Sequence, residues 1–117
     1  MKVDLVYVDD EEPLLRAFSY ILEKAGLSVA TFSSPNEALD FIAANEVALI
    51  LCDYRMPGMT GLEFLDAMDK DVPFYLLSGD LMLAEQVADL PRVAGIFRKP
   101  LSPVAVAAQV GKILGRT

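Results

Sequence analysis

Apolar and polar positions along this chain fall into alternating blocks. Short apolar runs occur at Val3–Val8, Ser28–Phe32, Leu49–Cys52, Phe74–Leu77 and Gly95–Phe97. Runs of this length, rich in β-branched and aromatic residues, suit buried strands. Between them the spacing becomes helical. Pro13–Ala25 places Leu14, Phe18, Ile21, Leu22 and Ala25 on one face. Ser34-Pro35-Asn36-Glu37 is a capping box with proline at the first helical position, opening a helix that reaches about Ala44. A shorter helix over Gly61–Met68 carries Leu62 and Leu65, and another over Leu83–Leu90 is stopped by Pro91. Ser102-Pro103 repeats the cap-then-proline signal and opens a last helix to Leu114.

Strand and helix therefore alternate through five units, which favours an α/β fold with a parallel sheet covered by helices on both faces. The central runs are apolar at successive positions, as doubly covered strands are. With right-handed crossovers, five strands fit the flavodoxin-like, doubly wound order 2-1-3-4-5. In such a sheet the strand C-termini share one edge, and ligands bind at the switch point between the first and third strands.

The chemistry at that edge is concentrated. The first run is followed by Asp9-Asp10-Glu11-Glu12, and the third stops abruptly on Asp53. The fourth runs into Ser78-Gly79-Asp80, and the fifth into Arg98-Lys99-Pro100. The second, at the sheet margin, brings only Ser33. Each element has a plainer reading on its own. Asp9 and Asp10 suit a helix N-terminus. Asp53 suits the start of a turn at Pro57-Gly58, Ser78 suits turn chemistry, and Lys99 suits neutralisation of acids nearby. Together they make an acidic cluster that attracts a hard divalent cation held by oxygen, Mg²⁺, Mn²⁺ or Ca²⁺ in kind. A lysine and a hydroxyl stand beside it. Those parts support phosphoryl transfer to Asp53.

Composition narrows the alternatives. The chain has 117 residues, which the size prior reads as a single domain over 1–117. Hydrophobic residues make up 54%, enough to argue against disorder. A net charge of −7 disfavours direct nucleic-acid binding, which needs basic surface. No apolar run is long enough for a membrane span, and the N-terminus lacks a signal-peptide pattern, so a cytoplasmic location is expected. A single Cys and no His leave neither an internal disulfide nor the usual zinc ligands. Cys52 reads as a small buried hydrophobe pointing away from Asp53 across the strand.

The DD after the first run, D-x-x-M-P-G-M-x-G from Asp53, S-G at Ser78 and K-P at Lys99 together resemble the receiver domain of bacterial two-component response regulators. The resemblance covers essentially the whole chain, in order. It implies that Asp53 accepts a phosphoryl group from a histidine kinase or a histidine phosphotransfer protein. It implies Mg²⁺ held by Asp10, Asp53 and the Arg55 carbonyl, with Asp9 acting through water. Ser78 would be the switch hydroxyl, and Lys99 would contact a phosphoryl oxygen, aimed by a cis Lys99–Pro100 peptide. The protein would be a switch that catalyses only its own phosphoryl transfer and dephosphorylation, standing alone or excised from a longer chain.

Two departures and one surface stand out. Receivers commonly place Tyr or Phe three residues before the lysine, but Ile96 stands there, and Phe97 faces the other way. Ser78 and residues 79–84 are then expected to move through packing at Ile96. Arg55 and Asp80, two residues after Asp53 and Ser78, stand where the family this chain resembles flanks the path of the hydrolytic water; they carry opposite charges and are expected to pair over the site and slow the approach of water. From Ser102 to Thr117 the only charges are Lys112 and Arg116. Val104, Ala105, Val106, Ala107, Ala108, Val110, Ile113 and Leu114 cannot all face the sheet, while Leu81, Met82 and Leu83 add apolar surface beside the fourth helix. Exposed apolar surface usually marks an interaction face, and in the family this chain resembles the face of helix 4, strand 5 and helix 5 docks output partners or a second receiver, so that face is expected to dock an output partner, a second receiver or a homodimer partner. Among the rivals, an aspartyl phosphatase wants a second acid two residues after its nucleophile, where Arg55 stands. A flavin module wants a phosphate cradle where four acids stand. A degenerate scaffold has no need of the intact acid, hydroxyl and lysine set.

Overall fold

The computed structural model describes residues 2–80, 82–87, 89–99 and 102–115. Leu81, Pro100 and Arg116 lie outside these, and with Pro100 so does the Lys99–Pro100 peptide. The apolar runs form β1 (Lys2–Val8), β2 (Val29–Phe32), β3 (Glu46–Asp53), β6 (Phe74–Ser78) and β7 (Val93–Arg98). Two short strands, β4 (Arg55–Met56) and β5 (Met59–Thr60), lie between β3 and the third helix. The helices are α1 (Glu12–Lys24), α2 (Pro35–Ala44), α3 (Gly61–Ala67), α4 (Leu83–Val87) and α5 (Pro103–Ile113). The five longer strands form one parallel sheet in the order β2-β1-β3-β6-β7. This is the expected 2-1-3-4-5 order, with β1 and β3 flanking the switch point.

Strand alternation divides the core. Val6, Val8, Ile50, Cys52 and Leu76 pack with Ala38 and Ile42 of α2, Phe64 and Leu65 of α3, and Leu83 and Val87 of α4. Leu5, Tyr7, Leu49, Leu51 and Leu77 pack on the opposite side with Leu15, Phe18 and Leu22 of α1 and Val106, Ala107 and Val110 of α5. Cys52 thus lies opposite the side of Leu51, as the period of two requires. Ile96 packs on the α4 side, and Phe97 on the α5 side, edge-on to Tyr75 at 5.6 Å.

The helix starts follow their caps. Ser34 Oγ accepts from the Glu37 N–H at 3.4 Å, and Ser102 Oγ accepts from the Ala105 N–H at 3.3 Å. Thr60 and Glu63 form a complete capping box on α3, with bonds of 3.1 and 2.8 Å. Two cations serve the opposite ends. Lys70 Nζ donates to the Ile42 and Asn45 carbonyls at 2.7 and 2.9 Å, closing α2. The Arg92 guanidinium donates to the carbonyls of Leu65, Met68 and Lys70 at 3.2, 3.3 and 3.0 Å, closing α3. Both bind carbonyls at or just past a helix C-terminus, where most lack a partner within the helix, and both favour the negative end of its dipole.

Three details differ from the sequence reading. The turn at Pro57-Gly58 extends into an antiparallel hairpin pairing Arg55 with Thr60 and Met56 with Met59. Gly58 there has φ +81°, which a side chain would resist. Among the described residues helix α4 covers Leu83–Val87 and Leu90 lies outside it, its N–H turning back to the Val87 carbonyl at 3.0 Å just before Pro91. Leu83 is fully buried and belongs to the core, so it adds nothing to the surface beside α4, whereas Met82 is 60% exposed. On α5, Val104 is 65% exposed, so this helix does leave apolar surface uncovered.

Candidate functional site

Four strand ends build the site. Leaving β1, Asp9 is buried and Asp10 exposed; Asp53 closes β3 with 3% exposure, and Ser78 closes β6. Lys99 follows β7 directly, and its N–H bonds to the Ser78 carbonyl at 3.0 Å, which continues the β6–β7 ladder into the site. Carboxylate oxygens of Asp9, Asp10 and Asp53 lie within 4.8 Å of one another. Lys99 Nζ stands 3.3 Å from Asp53 Oδ1. Asp10, Asp53, Arg55, Ser78, Asp80 and Lys99 all line one open cleft of about 560 Å³. All six residues singled out from the sequence, Asp9, Asp10, Asp53, Arg55, Ser78 and Lys99, are thus at one edge of the sheet.

The electrostatics are unbalanced towards acid. Burial, and then the charge of Asp9, push the Asp53 carboxyl up from 3.8 to about 6, against the pull of Lys99 and of the Arg55 backbone N–H. Burial followed by the charge of Asp53 likewise raises the Cys52 thiol, which stays protonated and inert. One lysine facing three carboxylates leaves negative charge for a cation to meet. The donor set is all oxygen, as a hard divalent ion takes it.

The rim is organised by the loop after β6. Ser78 Oγ accepts from the Asp80 N–H at 3.0 Å, and Asp80 Oδ1 accepts from the Met82 N–H at 2.9 Å. Asp80 Oδ2 stands 3.6 Å from Arg55 Nη2, so the two residues pair across the mouth of the cleft as anticipated. The pair is exposed, and its contribution to stability is small.

Gly61 explains the last glycine of the motif. A Cβ there would stand 2.6 Å from Leu76 Cδ2, 3.0 Å from the Asp53 carbonyl oxygen and 3.1 Å from Tyr54 Cα. Two of these neighbours are backbone and cannot turn aside. The Gly61 N–H also bonds to the Tyr54 carbonyl at 2.8 Å, so the start of α3 lies directly on the strand end that carries Asp53. Gly61→Ala is expected to cost about 1–3 kcal/mol by overpacking, measured as a fall in the urea midpoint at unchanged slope.

One participant is hidden in the first apolar run. Tyr7 is fully buried, and its hydroxyl donates to Asp9 Oδ2 at 2.8 Å. Burial, and then the charge of Asp9, hold its phenol far above the ordinary value, so it remains a donor. The signal in the sequence is the i, i+2 spacing of Tyr7 and Asp9, which puts both on one face of a strand.

The model of the response regulator receiver domain family matches residues 5–110. The chain belongs to this family, the receiver domains of two-component response regulators. The C4-dicarboxylate transport transcriptional regulatory protein DctD of Rhizobium meliloti is 38% identical over 84 residues, covering 68% of this chain and 18% of that protein. The cyclic di-GMP phosphodiesterase response regulator RpfG of Xanthomonas campestris is 32% identical over 121 residues, covering 96% of this chain and 32% of that protein. The chain therefore spans less than a third of the length of either relative. Chemotaxis response regulator CheY4 of Vibrio cholerae superposes with a TM-score of 0.79 at 28% identity, covering 99% of this chain and 98% of that one. A receiver domain protein from Clostridium thermocellum superposes at 0.82, with 23% identity and coverage of 97% and 95%. Among the described residues, no helix is long and apolar enough to cross a membrane.

Proposed function

We propose that this domain is a phosphorylation-controlled switch that accepts a phosphoryl group on Asp53 from a histidine kinase or histidine phosphotransfer protein. One observation carries the reading: Lys99 Nζ at 3.3 Å from Asp53, in a cluster whose three carboxylates approach within 4.8 Å. Asp10, Asp53 and the Arg55 carbonyl would hold Mg²⁺ or Mn²⁺, with Asp9 acting through water. Such an ion, when bound, neutralises charge on the acids and on the incoming phosphoryl oxygens.

The chain's own groups do the rest. An Asp53 carboxylate oxygen forms the new P–O bond as the P–N bond to the donor imidazole breaks, and the electron pair leaves with the imidazole. Lys99 steadies charge on a phosphoryl oxygen. Ser78 gives its O–H to another, and residues 79–84 follow it through packing at Ile96. Arg55 and Asp80, paired across the mouth, slow the approach of water and so the loss of the phosphoryl group. The exposed apolar positions of α5, with β7 and α4, dock an output partner, a second receiver or a homodimer partner. The domain acts on no diffusible substrate beyond its phosphodonor. It works in the cytoplasm as one unit over residues 1–117, alone or within a longer protein.

Intact mass after incubation with MgCl₂ and acetyl phosphate tests this. One added phosphoryl group is expected, absent in Asp53→Ala and absent without the metal. A folded protein that binds Mg²⁺ yet takes up nothing from either acetyl phosphate or a phosphorylated histidine donor would instead favour a phosphorylation-independent scaffold.

A further inference from the structure

We propose that Tyr7 is a positioning residue of the acidic site, its buried hydroxyl fixing the Asp9 carboxylate so that the three acids stay set for a divalent cation. The inference rests on the reading that this cluster takes Mg²⁺. Its basis is the way Asp9 is held. Asp9 Oδ2 receives the Tyr7 hydroxyl at 2.8 Å, and Asp9 Oδ1 receives the Glu11 N–H at 3.1 Å. One donor comes from the sheet beneath and the other from the loop above. A carboxylate gripped at both oxygens has little freedom to turn. It would otherwise swing away from Asp10 and Asp53, whose like charges repel it.

Packing alone does not call for the hydroxyl. The Tyr7 ring lies 4.9 Å from that of Phe18, among Leu5, Leu15, Leu22 and Leu51. Phenylalanine would fill this space without burying an oxygen, and a buried hydroxyl is unfavourable unless bonded. The partner that satisfies it is an acid of the site. Groups that bond a metal's carboxylates from behind set their orientation, and their loss typically weakens binding tenfold to a hundredfold.

Calorimetric titration with MgCl₂ tests the idea. Tyr7→Phe keeps the ring and removes the hydroxyl, and its dissociation constant for Mg²⁺ is expected to rise about tenfold or more. In an Asp9→Asn background the same change is expected to add nothing, because the hydroxyl acts through Asp9. Phe18→Leu loosens the same packing and keeps the bond, so it is expected to lower Tm and leave Mg²⁺ affinity unchanged. On the unsubstituted protein, the Tyr7 hydroxyl proton is expected as a slowly exchanging NMR resonance that shifts when MgCl₂ is added.

Tyr7→Phe binding Mg²⁺ as tightly as the parent would overturn the inference. So would an equal loss in Phe18→Leu, which would make the effect one of packing, or a hydroxyl resonance indifferent to Mg²⁺. A parent protein that binds no Mg²⁺ would overturn the cation reading itself, and this inference with it.

Discussion

Lys99→Ala is expected to leave the protein folded but to slow phosphoryl uptake from acetyl phosphate by about a hundredfold or more, the usual cost of removing one preorganised group from a developing oxyanion. Lys99 is only partly buried, so its loss leaves no cavity of consequence, but it removes the counter-charge of the buried Asp53, and the metal-free variant is expected to melt lower at neutral pH. The effect belongs to the chemistry. Lys99 Nζ stands at Asp53 Oδ1, and Asp10 and Arg55 line the other parts of the same cleft. Lysine here also lowers the Asp53 carboxyl against burial. Without it, a larger fraction of Asp53 is protonated near neutral pH in the metal-free protein. A rate within a factor of a few of the parent's, under the same Mg²⁺ concentration, would remove Lys99 from the mechanism.

The second large effect is one of stability and has the opposite sign. Asp53→Asn is expected to raise the melting temperature of the metal-free protein at pH 7.5. An acid whose folded pKa lies above its unfolded value binds its proton more tightly when folded. That aid to folding is complete below 3.8 and is lost as pH climbs to about 6. Above that range the ionised, 3%-exposed carboxylate costs on the order of 3 kcal/mol, since each pKa unit is worth about 1.4 kcal/mol. Asparagine keeps the shape and never ionises. The gain corresponds to roughly 10 °C for a chain of this size. It should shrink towards zero near pH 4, and MgCl₂ should narrow it at pH 7.5 by stabilising the parent alone. An Asp53→Asn protein that melts at or below the parent in EDTA at pH 7.5 would show that the site carries no such excess charge.

How far the sequence reveals all this depends on the range of the interaction. Local signals are legible: the cap of Ser34 on Glu37, the cap of Ser102 on Ala105, and the alternation that turns Cys52 away from Asp53. The capping box of Thr60 and Glu63 is equally local, a T-x-x-E pattern in plain view. The convergence of Asp9, Asp53, Ser78 and Lys99 is legible because the order of a doubly wound sheet is nearly forced once the strands are found. The hairpin β4–β5 is not, because two-residue strands carry no periodicity. Lys70 and Arg92 read as surface cations, since their partners are carbonyls 22 to 28 residues away, and a carbonyl has no letter in the sequence. The bond from Tyr7 to Asp9 lies between these cases. Its spacing is visible, but an aromatic residue within an apolar run reads first as core.

The grip of Lys70 and Arg92 on main-chain carbonyls has a consequence for how this sequence can drift. Every amino acid carries the carbonyl that these cations use. The side chains at Ile42, Leu65 and Met68 are therefore released from the task of closing α2 and α3, and answer only to their other contacts, whereas the Asn45 amide itself donates to the Phe41 carbonyl at 2.9 Å. Two positions bear the whole specificity of five hydrogen bonds. At the end of the sheet opposite Asp53, the grip on the helix ends survives any change at Ile42, Leu65 or Met68 that the core itself admits, so long as Lys70 and Arg92 remain.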